Sequence, residues 1–510
     1  MTTRFWPLAL LIAACLLPAC DAFVQDVDLP KDTAGSSQLN DDSEAQFLIR
    51  GVQAQWADAT DNTLTAADFL SDQFRFGRNA DATFPTFVEL DTGRPQSNNN
   101  SVVGAANALG QYRFLADSLV GRADVITFTD EATASKAEMK YAGYLHGAIA
   151  RYLYATYFGR APREGGGVLD TSAFIPAPAM YERADRKFAQ ALVWADKLKD
   201  RDDQEQRIVQ SLRARAALFA GTHNFSASGG LQGSEALRAA VDYAAEGLRR
   251  GDPPYEVKYS AQDNNNYADE AGPARTQMAV QDGYLLNPAV VATGAYKTGA
   301  SPSDPAVRSF ADVVAANPKE LARVPMGQVL QFGTVGATLT PDNAAGLVGS
   351  FITGATQDPP FSQAPFDDPE APPFAFEFVQ TKYREPDPIP FLSWQEVYLM
   401  RAELELRGYS TGSMSAQQLL NAVRDSYADP MVSEVPGGVE FDPLSSGEVT
   451  LNRVAVERDR TLFGQGLRLP DQRRLAQPAA EWHLRETAQG GTTWQWLPIS
   501  RQERDNNPNL

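Results

Sequence analysis

Between residues 136 and 158 the apolar side chains Tyr141, Leu145, Ile149, Tyr152, Leu153 and Tyr157 recur at steps of three or four, and Gly159 stops the run. Positions at those steps share one face of an α-helix, so a stripe this wide needs other helices to cover it. The chain is thereby committed to helix-on-helix packing. The same period predicts a helix over 45–69, through Phe47, Leu48, Val52 and Trp56, and another over 102–120. Tyr181, Ala184, Phe188, Ala191, Leu192, Ala195 and Leu198 predict one over 181–198, followed after a charged break by 208–220. Ala236, Ala239, Ala240, Tyr243, Ala244 and Leu248 predict a helix over 235–249, which Gly251-Asp252-Pro253-Pro254 ends. Further helices are expected over 391–407, 415–426 and 448–463, before a polar, proline-containing tail.

Alanine at helix seams followed by proline resembles the tetratricopeptide pattern of stacked helix pairs, without a strict repeat of about 34 residues. Two stretches break the helical period. Residues 75–100 carry Gly77, Pro85, Gly93, Pro95 and Asn98-Asn99-Asn100, and read as a long loop; 255–390 is rich in Gly and Pro around Asn264-Asn265-Asn266. Ordered loops of such length carry function or pack over a scaffold. The expected class is mostly α: a tetratricopeptide-like helical hairpin scaffold with a loop-rich half.

The first residues decide where such a body works. Arg4 precedes an apolar run from Phe5 to Ala19, too short for a bilayer span and suited to the core of a signal peptide. Leu17-Pro18-Ala19-Cys20 resembles a bacterial lipobox, with Pro18 where a small or hydroxyl residue is more usual. Cys20 is the predicted lipidation site. Cys15 leaves with the signal, so the mature chain keeps one thiol and forms no internal disulfide. Lipid there anchors the chain to a membrane without spanning it, and no later apolar run is long enough to cross one. Residues 21–44, with seven acids and Gly35-Ser36-Ser37, read as a flexible tether. The expected organisation is a signal peptide at 1–19, an acidic tether at 20–44 and one domain at 45–510. That domain comprises a helical-repeat part (45–254), a loop-rich part (255–390) and C-terminal helices with a tail (391–510). The formal charge of -19 repels phosphate backbones and argues against nucleic acid as a partner.

Signals for catalysis are weak. Gly408-Tyr409-Ser410-Thr411-Gly412 fits the Gly-x-Ser-x-Gly pattern, but that elbow needs a strand before the serine, and the period here predicts a helix. Gly408 then reads as a helix C-cap. His146, His223 and His483 are scattered and show no metal spacing. No catalytic residue, metal ligand or cofactor is assigned; a structural calcium ion propping a loop stays open. Arg468 and Asp471, three apart beside Gly466, are expected to form a structural ion pair.

Several segments together resemble the SusD/RagB family of surface lipoproteins. They are Lys382-Tyr383-Arg384, the segment from Phe391 to Leu399-Met400-Arg401-Ala402-Glu403, and Leu420-Asn421-Ala422-Val423-Arg424. Glu457-Arg458 with Gly466, Arg468, Asp471 and Arg474 follows, then Leu497-Pro498-Ile499-Ser500 with Glu503 and Asn507-Pro508-Asn509-Leu510. Tyr144 to Gly159 and Ser303-Asp304-Pro305 add to it. Thr461, Gln465 and Gln472 depart from the family pattern. The resemblance implies a SusD-like fold, a tetratricopeptide-like helical hairpin scaffold with a loop-rich ligand-binding half, and a starch-binding-like nutrient-uptake lipoprotein of the outer membrane. It would sit as a lid on a SusC-like TonB-dependent transporter and bind an oligosaccharide or peptide without altering it. A surface glycoside hydrolase and a non-binding helical scaffold are the alternatives.

Sugars need flat aromatic faces for their C–H surfaces and planar polar groups for their hydroxyls. By composition and loop placement, Phe84, Phe87, Arg94, Asn98, Asn99, Tyr267, Tyr284 and Tyr296 are the expected ligand-binding residues, with packing of the loop onto the scaffold as the competing role.

Overall fold

In a computed structural model of the chain, the structure describes residues 40–71, 73–76, 85–198, 203–223, 225, 229–259, 266–271, 278–280, 329–332, 377–380, 382–384, 386–433, 438–475 and 492–510. The first half comprises α1 (Ala45–Leu70), β1 (Phe74–Phe76), α2 (Pro85–Asp91), α3 (Asn100–Val125), α4 (Lys136–Tyr157), β2 (Phe158–Ala161), β3 (Glu164–Gly167), β4 (Ile175–Pro176), α5 (Ala177–Ala195), α6 (Gln204–Thr222) and α7 (Gly233–Ala245). The second comprises β5 (Tyr255–Val257), α8 (Asn266–Ala271), β6 (Met278–Val280), β7 (Val329–Phe332), β8 (Glu377–Gln380), β9 (Ile389–Leu392), α9 (Trp394–Leu406), α10 (Ala416–Ser426), α11 (Leu451–Thr461), α12 (Arg468–Leu475), β10 (Leu497–Pro498) and α13 (Arg501–Asn506). The chain is mostly helical, as its period predicts.

Helix α4 is the centre of the stack. Its first turn is fixed by a capping box, in which Ser135 accepts from the Glu138 N–H and the Glu138 carboxylate accepts from the Ser135 N–H. Its stripe is buried against α5 on one side and α3 on the other, with α1 beyond α3. The pairs α6–α7 and α9–α10 continue the series, and α9 lies against α6, α7 and α11. Sequence-adjacent helices that pack on one another form the hairpin scaffold. Among the described residues no helix is long and apolar enough to cross a membrane.

Strands are short and join distant parts of the chain. β2 and β3 form an antiparallel hairpin, β4 pairs with β3, and β10 runs parallel to β2. Glycines make this sheet possible: a Cβ at Gly165 would stand 2.2 Å from the Trp496 indole nitrogen. β5 pairs with β9, β1 with β6 and β7 with β8, all antiparallel.

Four expectations change. The stretch 75–100 holds the end of β1 and the helix α2, because Phe87 and Leu90 bury one turn of apolar surface between Pro85 and Gly93. Phe391 and Leu392 belong to β9, and the helix begins only after Ser393, whose hydroxyl caps the Glu396 N–H. The polar tail contains β10 and α13. Within the expected tether, Asp42–Glu44 form a 3-10 turn, and Asp42 accepts from the backbone and hydroxyl of Thr129, both at 2.7 Å.

Candidate ligand-binding surface

The residues that carry the family resemblance lie mainly in a buried lattice of charge pairs. On α9, Glu396 receives Arg215 of α6 at 2.8 Å, and Glu403 receives Arg474 of α12 at 2.6 Å. Asp471 is held between Arg458 at 2.7 Å and Arg474 at 2.6 Å; burial opposes its ionisation, yet the two guanidiniums keep its carboxyl below the usual range. Glu457 of α11 receives Arg424 of α10 and its own neighbour Arg460, each at 2.7 Å. Of the expected Arg468–Asp471 pair, Arg468 reaches Asp459 at 3.1 Å, while Asp471 is taken by Arg458, converging from α11, and by Arg474. All these groups are buried, so this lattice fastens helices and offers no surface to a ligand.

Ser410 follows α9 directly, and Gly408 has φ +86°, so the motif is a helix C-cap and turn without the strand a nucleophile elbow requires. His146 is buried with its Nδ1 2.7 Å from the Tyr112 hydroxyl, and burial lowers it to about 3. Among the described residues no group of three His, Cys, Asp or Glu side chains is placed to hold a metal ion.

Several expected ligand residues are taken by the fold. Phe87 is buried and stacks on Phe69 with ring centroids 4.7 Å apart. Asn99 is spent as the N-cap of α3: its Oδ1 accepts from the Ser101 and Val102 N–H groups, and its Nδ2 donates to Thr86 O and Glu89, each at 2.8 Å. Tyr267 is fully buried, donating its hydroxyl to Asp68 at 2.9 Å. Packing claimed these three because each sits where an apolar or capping partner waits. Arg94 and Asn98 remain exposed. Cys20, Phe84, Tyr284, Tyr296 and His483 lie outside the described residues.

Asn98 belongs to a shelf. The loop after α2 is clamped to the C-terminal segment: Trp494 donates its N–H to Gly93 O at 2.9 Å, and Arg501 donates to Ser97 O at 2.6 Å. Gly93, with φ +71°, allows this approach, since a Cβ there would fall 2.2 Å from Thr493 Cγ2. Arg473 donates to the carbonyls of Thr156 and Gln495, holding the far side of the segment. The resulting depression, about 560 Å³, is lined by Gln96, Asn98, Trp494, Arg501 and Arg504 among others. The side-chain amides of Gln96 and Asn98 bond to no described residue, and Trp494 is half-buried. An indole face beside two free amides and two guanidiniums is the chemistry a sugar ring asks for. Trp494 was hidden from sequence reasoning because it lies in what reads as a polar tail; the aromatic pair Trp494 and Trp496 was the available signal.

No family model matches the chain, and no curated protein matches it significantly. Solved structures do. A SusD superfamily protein from Bacteroides thetaiotaomicron aligns over 92% of this chain and 98% of its own, at 15% identity and a TM-score of 0.54. The chain has the SusD fold. A SusD superfamily protein from Bacteroides vulgatus aligns over 92% of this chain and 97% of its own, at 10% identity and a TM-score of 0.52. A second from that organism covers 85% and 88%, at 12% identity and 0.51. On this SusD fold the resemblance read from the motifs and the resemblance of the backbone agree.

The SusD-like body carries another concavity, a cleft of about 770 Å³ between the β5–β9 pair and the ends of α10 and α11. Trp394, Tyr383 and Tyr427 form its floor, all buried. Lys382 and Arg250 line it without a salt bridge to any described residue, and Glu256, whose carboxyl burial pushes up, and Asp425 line it too.

Proposed function

We propose that this protein is a non-catalytic, lipid-anchored receptor at the outer surface of a bacterial outer membrane. It captures an oligosaccharide and delivers it to a SusC-like TonB-dependent transporter. The shelf carries the reading: Trp494 supplies the stacking face, while Gln96, Asn98, Arg501 and Arg504 address hydroxyls. The SusD fold and the lipobox-like run ending at Cys20 support the setting. A lipid tether holds a binder at high effective concentration beside its pore, so modest affinity suffices for uptake.

The test is affinity gel electrophoresis against a panel of soluble glycans, with Trp494→Ala and Asn98→Ala beside the parent chain. Retardation by one glycan, weakened about tenfold by Trp494→Ala as expected for loss of one stacking face, with glycan length unchanged, supports the proposal. Shortened glycan would make it a hydrolase. Absence of binding to any glycan, with copurification of an outer-membrane partner, would make it a scaffold. A peptide cargo is the second reading, favoured by the cleft, where Lys382 and Arg250, each over an aromatic ring and without a salt bridge to any described residue, share one space with Glu256 and Asp425 and so complement a zwitterionic chain.

A further inference from the structure

Helix α13 is a ridge with a depression on each side. Arg501, Arg504 and Asp505 face the shelf, whereas Gln502, Glu503 and Asn506 line a separate pocket of about 190 Å³ shared with α3, α4 and the start of β2. Its inner wall is aromatic: Tyr154 and Phe158 lie with ring centroids 5.8 Å apart and planes tilted by 53°. Gly167 permits that wall, since a Cβ there would stand 2.7 Å from Tyr154 Cδ1.

Ser500 and Glu503 are engaged in capping α13 and holding Asn507, but four other polar groups around the pocket are idle. The side-chain amides of Asn107, Gln502 and Asn506 and the hydroxyl of Tyr154 bond to no described residue. Burial pushes the Tyr154 phenol up to about 12, so it is a standing donor at neutral pH. Among the described residues no Lys or Arg lines the pocket, and Glu503 is the one charged residue in its lining. Its volume falls below the roughly 300 Å³ at which drug-sized sites begin, which leaves room for one ring.

A second observation extends the pocket along α3. Asn107, Gln111 and Phe114 follow at i, i+4 and i+7, all three exposed, and so form one outward stripe. Phe114 is 60% exposed and its ring meets no described aromatic or cation. A solvent-facing phenyl offers a flat face on which the C–H surface of a sugar ring can stack.

We infer that this pocket binds the terminal ring of a neutral glycan, with Phe114 as the stacking platform for the sugars that follow. This rests on the reading of the protein as a glycan receptor and adds to it a site apart from the shelf, with a preference the shelf does not have. The Arg-lined shelf accepts acidic and neutral sugars, whereas the pocket, with Glu503 and without a cation, rejects uronates.

Titration calorimetry of the full mature chain carrying Trp494→Ala, which silences the shelf, with glucose, galactose, mannose, N-acetylglucosamine and glucuronate tests it. At least one neutral sugar binds at millimolar affinity and glucuronate does not. Tyr154→Phe and Asn107→Ala each weaken that binding about five- to tenfold through loss of one hydrogen bond. Phe114→Ala spares the monosaccharide but abolishes the gain in affinity on passing to the disaccharide. Trp494→Ala retains monosaccharide binding even where it removes oligosaccharide retardation, which separates failure of the shelf from failure of the pocket. Binding of no neutral sugar, equal binding of glucuronate, or indifference to both pocket variants would overturn the inference.

Discussion

Asp68 shows how one residue's surroundings can invert its ordinary behaviour. It is fully buried on α1, and burial pushes its carboxyl from 3.8 up to about 7, with the Tyr267 hydroxyl bond pulling the other way. Between those two values the folded chain keeps a proton that the unfolded chain has released. The stability this residue contributes is therefore full below about pH 4 and is lost as pH rises through 7. Asp68→Asn, neutral at every pH, should gain stability relative to the parent chain between pH 5 and 8, read from urea unfolding midpoints across that range; a constant offset between the two proteins would refute the assignment. His146 acts at the other limb. Its contribution, present above about 6.5, is lost as pH falls toward 3. Neither effect was legible in the sequence, where Asp68 is one of 64 acids and nothing marks it as buried. The same blindness misplaced Phe87, Asn99 and Tyr267: their types suit a sugar site, but exposure is decided by the neighbours they meet in three dimensions.

At the level of elements, the helices were legible because burial writes a period into the sequence, and α4 begins and ends within a residue of its expected bounds. The tail was not, since a strand of two residues such as β10 has no period to read. The charge pairs were visible only as motifs; which Arg meets which carboxylate depends on how five helices converge. Glu403 tests their weight. Glu403→Gln leaves Arg474 buried against one fewer charge and should cost about 3–5 kcal/mol, measured by urea unfolding. Adding Arg474→Met should recover part of that loss, and a single variant as stable as the parent would show that the lattice contributes little.

At the level of the whole molecule, the N-terminal chain meets the body beside the C-terminal end of α3, where Asp42 is fastened to Thr129 and Arg122 donates to Asn40 at 3.1 Å. If Cys20 carries lipid, Cys20→Ala should move the protein from the membrane fraction to the soluble one, as followed by immunoblot of fractionated cells; full retention of the variant would sink the anchor. The SusD fold was legible from motifs spread along the chain, while the shelf and the pocket arise where residues some 400 positions apart, such as Asn98 and Trp494, are brought to one face.

The lattice of guanidinium and carboxylate groups bears on how such a receptor can diversify. An apolar seam tolerates swaps of similar volume, but each charge in the lattice is safe only while its opposite number stays. A frame riveted in that way leaves its outer loops at liberty to be rewritten for new cargo, since the charged rivets among the described residues stand on helices.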